Sequence, residues 1–238
     1  MKHVFISGGS RGIGAAMVRS FSSQGYRVTF TYHKSREQAM SLAEETGALA
    51  LQADSADEEA VKAAVAIAVA RQGGVDILIN NAGVAAFSLF TDITSDEWHR
   101  IMAVNLDGAF YFAKACVPHM IHEKWGRIIN VSSIWGITGS SCEVHYSTSK
   151  AALIGFSRAL AKELGPSGIT VNCIAPGVID TDMNKTLTQE TLDALCEETP
   201  LGRLGTPEEI ASVAVFLAGE GGAFLTGQVI SPNGGIVI

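Results

Sequence analysis

The segment His3-Val4-Phe5-Ile6-Ser7-Gly8-Gly9-Ser10-Arg11-Gly12-Ile13-Gly14 decides how the rest of the chain is read. An apolar run gives way to a glycine-rich turn, and Ala15-Ala16-Met17-Val18-Arg19-Ser20-Phe21 follows with helical periodicity. Strand, turn and helix in that order present the first backbone N–H groups of the helix to an anion, an arrangement that suits a pyrophosphate. Glycine is needed where the chain turns sharply or where a side chain would stand between backbone and phosphate. The spacing Gly8-x-x-x-Gly12-x-Gly14 is not the commoner G-x-G-x-x-G and points to a narrower group of dinucleotide-binding turns. An ordinary glycine loop is the competing reading.

The next strand, Arg27-Val28-Thr29-Phe30-Thr31-Tyr32, should end near an adenosine ribose. A site selective for NAD usually places an acid there to bind the ribose hydroxyls. Here the text is Tyr32-His33-Lys34-Ser35-Arg36, and the first acid is Glu37. With Arg11 in the turn, these groups suit a 2′-phosphate and no carboxylate repels it. The reading is NADP (NADPH/NADP+) over NAD, against the alternative that these are solvated charges after an edge turn.

Composition narrows the class. The chain has 238 residues, is 47% hydrophobic and only 17% charged, which fits one large α/β domain with extensive burial. A net charge of −7 with no basic stretch argues against nucleic acid. No apolar run reaches transmembrane length and no signal peptide is read, so no membrane association is expected. Cys116, Cys142, Cys173 and Cys196 show no C-x-x-C pairing, and a reduced cytoplasmic setting fits. His119 and His122 form an isolated H-x-x-H that reads as helix surface rather than a metal site.

Strand and helix patterns alternate throughout. Candidate strands are Val4–Ile6, Val28–Tyr32, Ala48–Gln52, Ile77–Asn80, Arg127–Val131, Thr170–Ala175 and Val229–Ile230. Helix starts are marked by Ser55 with Glu58, Thr94 with Glu97, and Thr206-Pro207 with Glu209, each a capping-box pattern. The Ala-rich stretch Glu59–Arg71 reads as a helix packed closely on a sheet. Without repeats or linkers, the economical fold is an α/β single-domain, doubly wound, parallel Rossmann-like sheet of about seven strands flanked by helices. Ligands in such folds bind beyond the carboxyl ends of the strands, where Asp54, Asn80, Asn81, Ser132, Ser133 and Pro176-Gly177 fall.

Tyr146 and Lys150 stand four apart, one helical turn, with Ser133 thirteen residues upstream. A free phenol, pKa near ~10, is a poor acid or base at neutral pH. A fixed cation nearby favours the phenolate and lowers that value, and a serine hydroxyl can hold a substrate oxygen alongside. The pattern suggests proton transfer at a carbonyl or alcohol. Alone it is equally consistent with an amphipathic surface pair.

Together these residues resemble the short-chain dehydrogenase/reductase family over essentially the whole chain. The matches are Gly8-x-x-x-Gly12-x-Gly14, Asp54, Asn80-Asn81-Ala82-Gly83, Asn105, Ser133, Tyr146-x-x-x-Lys150 and Pro176-Gly177 through Thr181. Arg127-Ile128-Ile129-Asn130-Val131-Ser132-Ser133, Gly168-Ile169-Thr170-Val171-Asn172 and Gly227-Gln228-Val229-Ile230-Ser231 look most like β-ketoacyl-acyl-carrier-protein reductases. That resemblance implies NADPH-dependent reduction of a 3-oxoacyl thioester. Trp135-Gly136-x-x-Gly139-x-x-Cys142-Glu143 departs from the usual text and is similar to reductases acting on aminopentanone-modified elongation factor P.

The resemblance implies roles residue by residue. Tyr146 would protonate the carbonyl oxygen, Lys150 would lower the phenol pKa and bind the nicotinamide ribose, and Ser133 would polarise the carbonyl. Asn105 would hold a water linking Lys150 to solvent, or mend a helix irregularity, or both. Ser133 is chosen over Ser132 because the family places its serine thirteen residues before the tyrosine. The cofactor set is Gly8, Ser10, Arg11, Gly12, Ile13, Gly14, His33, Lys34, Ser35, Asp54, Ser55, Asn81, Ala82, Gly83, Tyr146, Lys150, Pro176, Gly177, Ile179 and Thr181. Within it Asp54 would accept from the adenine amino group with Ser55 beside it, although Ser55 can simply cap the next helix. Asn81, Ala82 and Gly83 would line the adenosine side, with Asn80 stabilising the central strands. Ile179 and Thr181 would contact the carboxamide.

Residues 182–205 read as a substrate lid, with Met183, Leu187, Leu192 and Leu195 facing either an acyl chain or a helix underside. Trp135, Cys142, Glu143 and His145 are candidates for setting specificity; Glu143 would either recognise a cationic substrate group or be a plain exposed acid. The helices carrying Phe110-Tyr111-Phe112 and Ala151–Phe156 hold more apolar surface than one sheet face needs, and family members pair such helices in homotetramers. A homotetramer, or a dimer, is expected. The partner is a small-molecule or carrier-linked ketone. A non-catalytic dinucleotide-binding or sensor protein is the alternative of another class, which loss of Tyr146 or Lys150 would have favoured.

Overall fold

The computed structural model describes residues 1–182 and 188–238. Its centre is a parallel sheet of seven strands: β1 (His3–Ser7), β2 (Arg27–Tyr32), β3 (Leu49–Gln52), β4 (Ile77–Asn80), β5 (Gly126–Val131), β6 (Ile169–Ile174) and β7 (Val229–Ile230). Their spatial order is β3-β2-β1-β4-β5-β6-β7, so the chain reverses its direction of winding between β1 and β4. The expected strands are all present within a residue or so of their boundaries.

Side chains of successive strand residues point to opposite faces, and here both faces are apolar. Val4, Ile6, Ile77, Ile79, Ile129 and Val131 join one buried cluster with helices α1 (Gly12–Ser23), α2 (Arg36–Thr46) and α9 (Pro207–Ala218). Phe5, Leu78, Ile128 and Val171 join the other, with α3 (Glu58–Gln72), α5 (Gly108–Glu123) and α7 (Val144–Leu164). Continuous apolar runs instead of alternation are the mark of a parallel sheet covered on both sides. Phe112 of α5 packs its ring 5.4 Å from that of Phe5. It therefore belongs to the core, and within the Phe110–Phe112 stretch only Phe110 is exposed.

Capping explains most helix starts, with one correction. Ser55 does not cap α3; Asp57 does, accepting from the N–H groups of Glu59 and Ala60. A carboxylate there satisfies two orphan donors and complements the helix dipole, which a hydroxyl two residues earlier cannot reach. Thr94 caps the helix α4 (Ser95–Met102) by accepting from Glu97 N–H. Thr206 and Glu209 form a complete capping box on α9, with Pro207 in the first turn. Arg203 adds to it, and its guanidinium and the Thr206 N–H hold the Glu209 carboxyl down at about 2.

Between α4 and α5 the helix widens into one π turn, Ala103–Asp107. Gly108, just after it, lies so close to the chain before α3 that an added methyl would sit 2.7 Å from the Ser55 carbonyl oxygen. A short helix α6 (Trp135–Thr138) precedes α7, and α8 (Gln189–Glu198), capped by Thr188, lies after residues 183–187. Among the described residues no helix is long and apolar enough to cross a membrane.

Thr206→Ala removes the hydroxyl half of the box and should cost about 1 kcal/mol. Thermal unfolding of the variant should shift down by a few degrees, with no change in far-ultraviolet circular dichroism at room temperature.

Candidate active site

The reversal of winding at β1/β4 leaves a crevice beyond the carboxyl ends of those strands, and most of the expected residues gather there. The turn after β1 approaches the loop after β4 closely: a methyl on Gly8 (φ 67°) would lie 2.8 Å from Ala82 Cα. A methyl on Gly14 would lie 2.3 Å from the Gly8 carbonyl oxygen. Asn81 braces this junction, donating from Nδ2 to the carbonyls of Ser7 at 3.1 Å and Gly8 at 2.9 Å. Ser7 Oγ accepts from the N–H groups of Asn81 and Ala82. Asn81 thus shapes the turn with its side chain, and Asn80 is buried in the sheet, donating to Asn130 Oδ1 at 2.8 Å.

Helix α1 differs from α3, α4, α8 and α9, whose first turns are capped by a side chain. Its N-cap residue, Arg11, makes no capping hydrogen bond and no acid stands in the first turn. The N–H groups of Gly12, Ile13 and Gly14 are therefore available to an anion at the positive end of the dipole. Thr181 faces this turn, its Cγ2 lying 3.4 Å from where a Gly12 methyl would be. Ser10, Arg11 and Gly12 also line a cleft between the turn, α2 and the start of α9.

At the ribose end, His33 and Lys34 are exposed and Ser35 precedes α2 without capping it. His33 Nε2 lies 3.8 Å from Asp54 Oδ2. Asp54 is held chiefly by Arg100, whose Nη1 donates at 2.9 Å and Nη2 at 3.3 Å, and it accepts from Ala56 N–H at 3.0 Å. Partial burial pushes its carboxyl up, but these donors outweigh that and leave it lower than usual. Arg100 was not singled out in the sequence. It lies 46 residues from Asp54, and no local pattern joins the two. Ser55 is buried beside it.

The catalytic candidates converge at the end of β5. Ser132 and Ser133 separate cleanly: Ser132 Oγ donates to the Lys150 carbonyl at 2.9 Å, a bond that holds α7 to the strand. Ser133 instead stands close enough to the Tyr146 phenol to favour its charged form, and accepts from Trp135 N–H at 3.2 Å. Lys150 lies on the same helix face as Tyr146, its Nζ 5.6 Å from the ring centroid and donating to the Val131 carbonyl at 2.8 Å.

One electrostatic expectation is corrected. Burial pushes the Tyr146 phenol up to about 12; Ser133 opposes this and Glu143 adds to it. Burial pushes Lys150 down to about 8. The Lys150 ammonium does not offset that rise. Both groups are buried, so each loses hydration in its charged form, and that loss dominates.

Asn105 sits in the π turn and ties it to the loop after β4 and to α7, without bonding the turn's own main chain. Its Oδ1 accepts from Val84 N–H at 2.8 Å, and its Nδ2 donates to the Val84 carbonyl at 2.9 Å and to Ser149 Oγ at 3.0 Å. Gly83 keeps a space open between Asn105 and Lys150: a methyl there would lie 3.2 Å from Lys150 Nζ and 3.5 Å from Asn105 Oδ1. Pro176 and Gly177 follow β6; Pro176 O accepts from Ile134 N–H at 3.1 Å, and Gly177 packs against Asn233. Ile179 is buried and pairs with Gly205 across the base of the proposed lid. Leu192 and Leu195 are half-buried on one side of α8, while Met183 and Leu187 lie outside the described residues. Among the described residues no group of His, Cys, Asp and Glu has metal-binding geometry.

The chain is similar to known proteins over nearly its whole length. A family model described as enoyl-(acyl carrier protein) reductase matches residues 8–237. The chain is 40% identical over 237 residues to the 3-oxoacyl-[acyl-carrier-protein] reductase FabG of Aquifex aeolicus, covering 97% of this chain and 95% of that one. It is 39% identical to the acetoacetyl-CoA reductase of Shinella zoogloeoides, covering 97% and 96%. Among solved structures, a blue fluorescent protein from a metagenomic library, in complex with NADPH, superposes with a TM-score of 0.93 at 37% identity, covering 100% of this chain and 98% of that one. A mutant short-chain dehydrogenase/reductase of Serratia marcescens gives 0.92 at 37% identity, covering 99% and 97%.

Gly12 has φ 52°, in the left-handed region, and faces Thr181. Gly12→Val should abolish dinucleotide binding measured by fluorescence titration, and unchanged affinity would remove the glycine turn from the site.

Proposed function

The chain belongs to the short-chain dehydrogenase/reductase family, and from that premise we propose that it is an NADPH-dependent ketoreductase acting on a 3-oxoacyl thioester, linked to acyl carrier protein or to coenzyme A. The observation that carries the reading is the convergence of Ser133, Tyr146 and Lys150 beside an uncapped helix N-terminus. Relatives named as 3-oxoacyl-[acyl-carrier-protein] and acetoacetyl-CoA reductases support the substrate, and a structural neighbour that binds NADPH supports the cofactor. The residues fit that cofactor. The open N–H groups of α1 would donate to the pyrophosphate, Arg11, His33, Lys34 and Ser35 would hold the 2′-phosphate, and Lys150, beside Gly83, would hold the nicotinamide ribose.

Bound NADPH supplies the hydride. The chain's own part is to hold the ketone and deliver a proton. Ser133 donates to the carbonyl oxygen and keeps it against Tyr146, so that charge developing on that oxygen meets donors already in place. A phenol held at about 12 is fully protonated at neutral pH, the form an acid needs when a ketone becomes an alcohol. Lys150 would bind the ribose hydroxyls, and Asn105 Oδ1, which faces the same space beside Gly83, would hold the water through which the proton on Tyr146 is restored. Asp54 and Ser55 would receive the adenine, and Asn81, Ala82, Pro176, Gly177, Ile179 and Thr181 would complete the cofactor walls.

We read residues 1–238 as one reductase domain with its lid at 182–205, working in the cytoplasm. The assembly is a homotetramer, with a dimer as the alternative; exposed Phe110, Phe216 and Phe224 support self-association. A second substrate reading, an amine-bearing ketone such as aminopentanone-modified elongation factor P, is favoured by Glu143. Burial pushes its carboxyl up, although Ser140 and His145 pull the other way, and it lies near enough to act on the Tyr146 phenol. That is where a cationic substrate group would relieve it. The non-catalytic reading is disfavoured because Asn105, Ser133, Tyr146 and Lys150 are all present.

Purified protein should consume NADPH with a 3-oxoacyl thioester, and Tyr146→Phe should slow this by about 10²–10⁴-fold. Activity confined to an amino-ketone, with its preference over neutral ketones lost in Glu143→Gln, would move the assignment to the second reading. NADPH binding with no turnover of either ketone would leave a cofactor-binding module.

The kcat/KM for NADPH reports the free enzyme. It should be level below about pH 8 and fall above it as Lys150 loses its proton, because the pKa there is about 8. A Lys150→Arg variant should lose that alkaline limb, since a guanidinium stays charged.

A further inference from the structure

Tyr146 is the third residue of α7, a position whose backbone N–H has no partner within the helix and is normally satisfied by a capping side chain. The residue at the N-cap, Glu143, makes no such bond. His145 takes its place, its Nδ1 accepting from Tyr146 N–H at 3.0 Å. The imidazole is fully buried. With Nδ1 acting as acceptor, the neutral ring carries its proton on Nε2. That Nε2 is buried, has no hydrogen-bond partner among the described residues, and lies 3.6 Å from Glu97 Oε1 on α4.

Glu97 is placed for this contact. It stands where a capping box would turn its carboxylate back to Thr94, yet that carboxylate accepts from Ser88 Oγ at 3.2 Å instead. Ser88 N–H in turn donates to the Cys142 carbonyl at 2.8 Å, just before α7. Ser88 belongs to a stretch whose Phe87, Leu89 and Phe90 are exposed. On its other side Tyr146 is gripped as well: its carbonyl accepts from Ser149 Oγ at 2.7 Å, and Ser149 accepts from Asn105.

We infer that Glu97 and His145 are positioning residues for the catalytic tyrosine: Glu97 fixes the His145 ring, and the ring fixes the Tyr146 backbone so that the phenol meets Ser133. Neither touches the reacting atoms. Through Ser88 the tie makes the seating of the 84–94 loop a determinant of turnover. The inference rests on the proposed ketone reduction for its kinetic consequence but not for its structural one.

The test compares Glu97→Ala, Glu97→Gln, His145→Asn and the double variant Glu97→Ala/His145→Asn with wild type. Two readouts are followed: kcat for the 3-oxoacyl thioester, and hydrogen exchange of the Tyr146 amide. Glu97→Ala should speed that exchange by about tenfold or more and lower kcat by about ten- to a hundred-fold, as a misplaced catalytic group does. NADPH affinity should stay within about twofold, since the glycine turn is untouched. Glu97→Gln keeps an acceptor for Nε2–H and should restore both readouts. His145→Asn keeps an acceptor near the Tyr146 N–H but is too short to reach Glu97, so it should match Glu97→Ala, and the double variant should be no worse than either.

Wild-type exchange and kcat in Glu97→Ala, equal losses in Glu97→Ala and Glu97→Gln, or losses that add in the double variant would each overturn the tie. Should Glu97→Ala lose its fold, Ser88→Ala removes the hydroxyl that steadies Glu97 and carries the same comparison. The exchange measurement needs no substrate. A wild type that binds NADPH without reducing the thioester would therefore defeat the functional reading while the tie is still judged on the Tyr146 amide.

Discussion

Gly8 and Ala82 meet so closely that a methyl group on the first would fall 2.8 Å from the second's Cα, and the rest of the site depends on that approach. It exists because β1 and β4 are neighbours at the point where the winding of the sheet reverses. Asn81 locks the contact with bonds to two carbonyls of the glycine turn. With the turn fixed, α1 begins with its N–H groups outward, Thr181 comes to face Gly12, and Gly83 is carried to Lys150 and Asn105. The phosphate end and the proton-transfer end are therefore set by one junction of two loops.

Burial governs the chemistry at the other end of the crevice. Tyr146 and Lys150 are both withdrawn from water, and each moves toward its neutral form, the phenol up and the ammonium down. An exposed pair four residues apart would interact weakly through solvent. Here the helix that carries them is fixed by Ser132, by Asn105 through Ser149, and by Lys150's own bond to the end of β5. The buried asparagine relay from Asn80 through Asn130 to Ser157 adds a further polar tie between strands and α7. Such networks are expensive to leave incomplete, which favours one arrangement of helix on sheet over its neighbours.

Much of this was legible in the chain itself. The strands could be read because their apolar runs, or in β2 the alternation of Val28, Phe30 and Tyr32 with Thr29 and Thr31, end at polar or glycine-rich boundaries. The α9 start was legible because Thr206, Pro207 and Glu209 are local signals. The α3 start was misassigned to Ser55 because two capping candidates lie two residues apart, and only the backbone geometry shows that Asp57 reaches both N–H groups. Asn105 was read as a water-holding or helix-mending residue, and the packing shows a third part: from the π turn its side chain bonds Val84 and Ser149, which lie 21 and 44 residues away.

What the sequence determined by itself is whatever depends on neighbours along the chain: the strand–turn–helix that opens it, the four-residue step from Tyr146 to Lys150, and the order of elements in a two-faced parallel sheet. The tertiary structure decided which distant groups share a space. It assigned Arg100 to Asp54, Glu97 to His145 and Gly83 to Lys150, and it reversed the expected direction of the Tyr146 shift. The physical reason is that pairing and desolvation act over a few ångströms of space and not over positions in a chain. Local propensity fixes the elements, and the energy of a buried polar group is known only once the packing around it is complete.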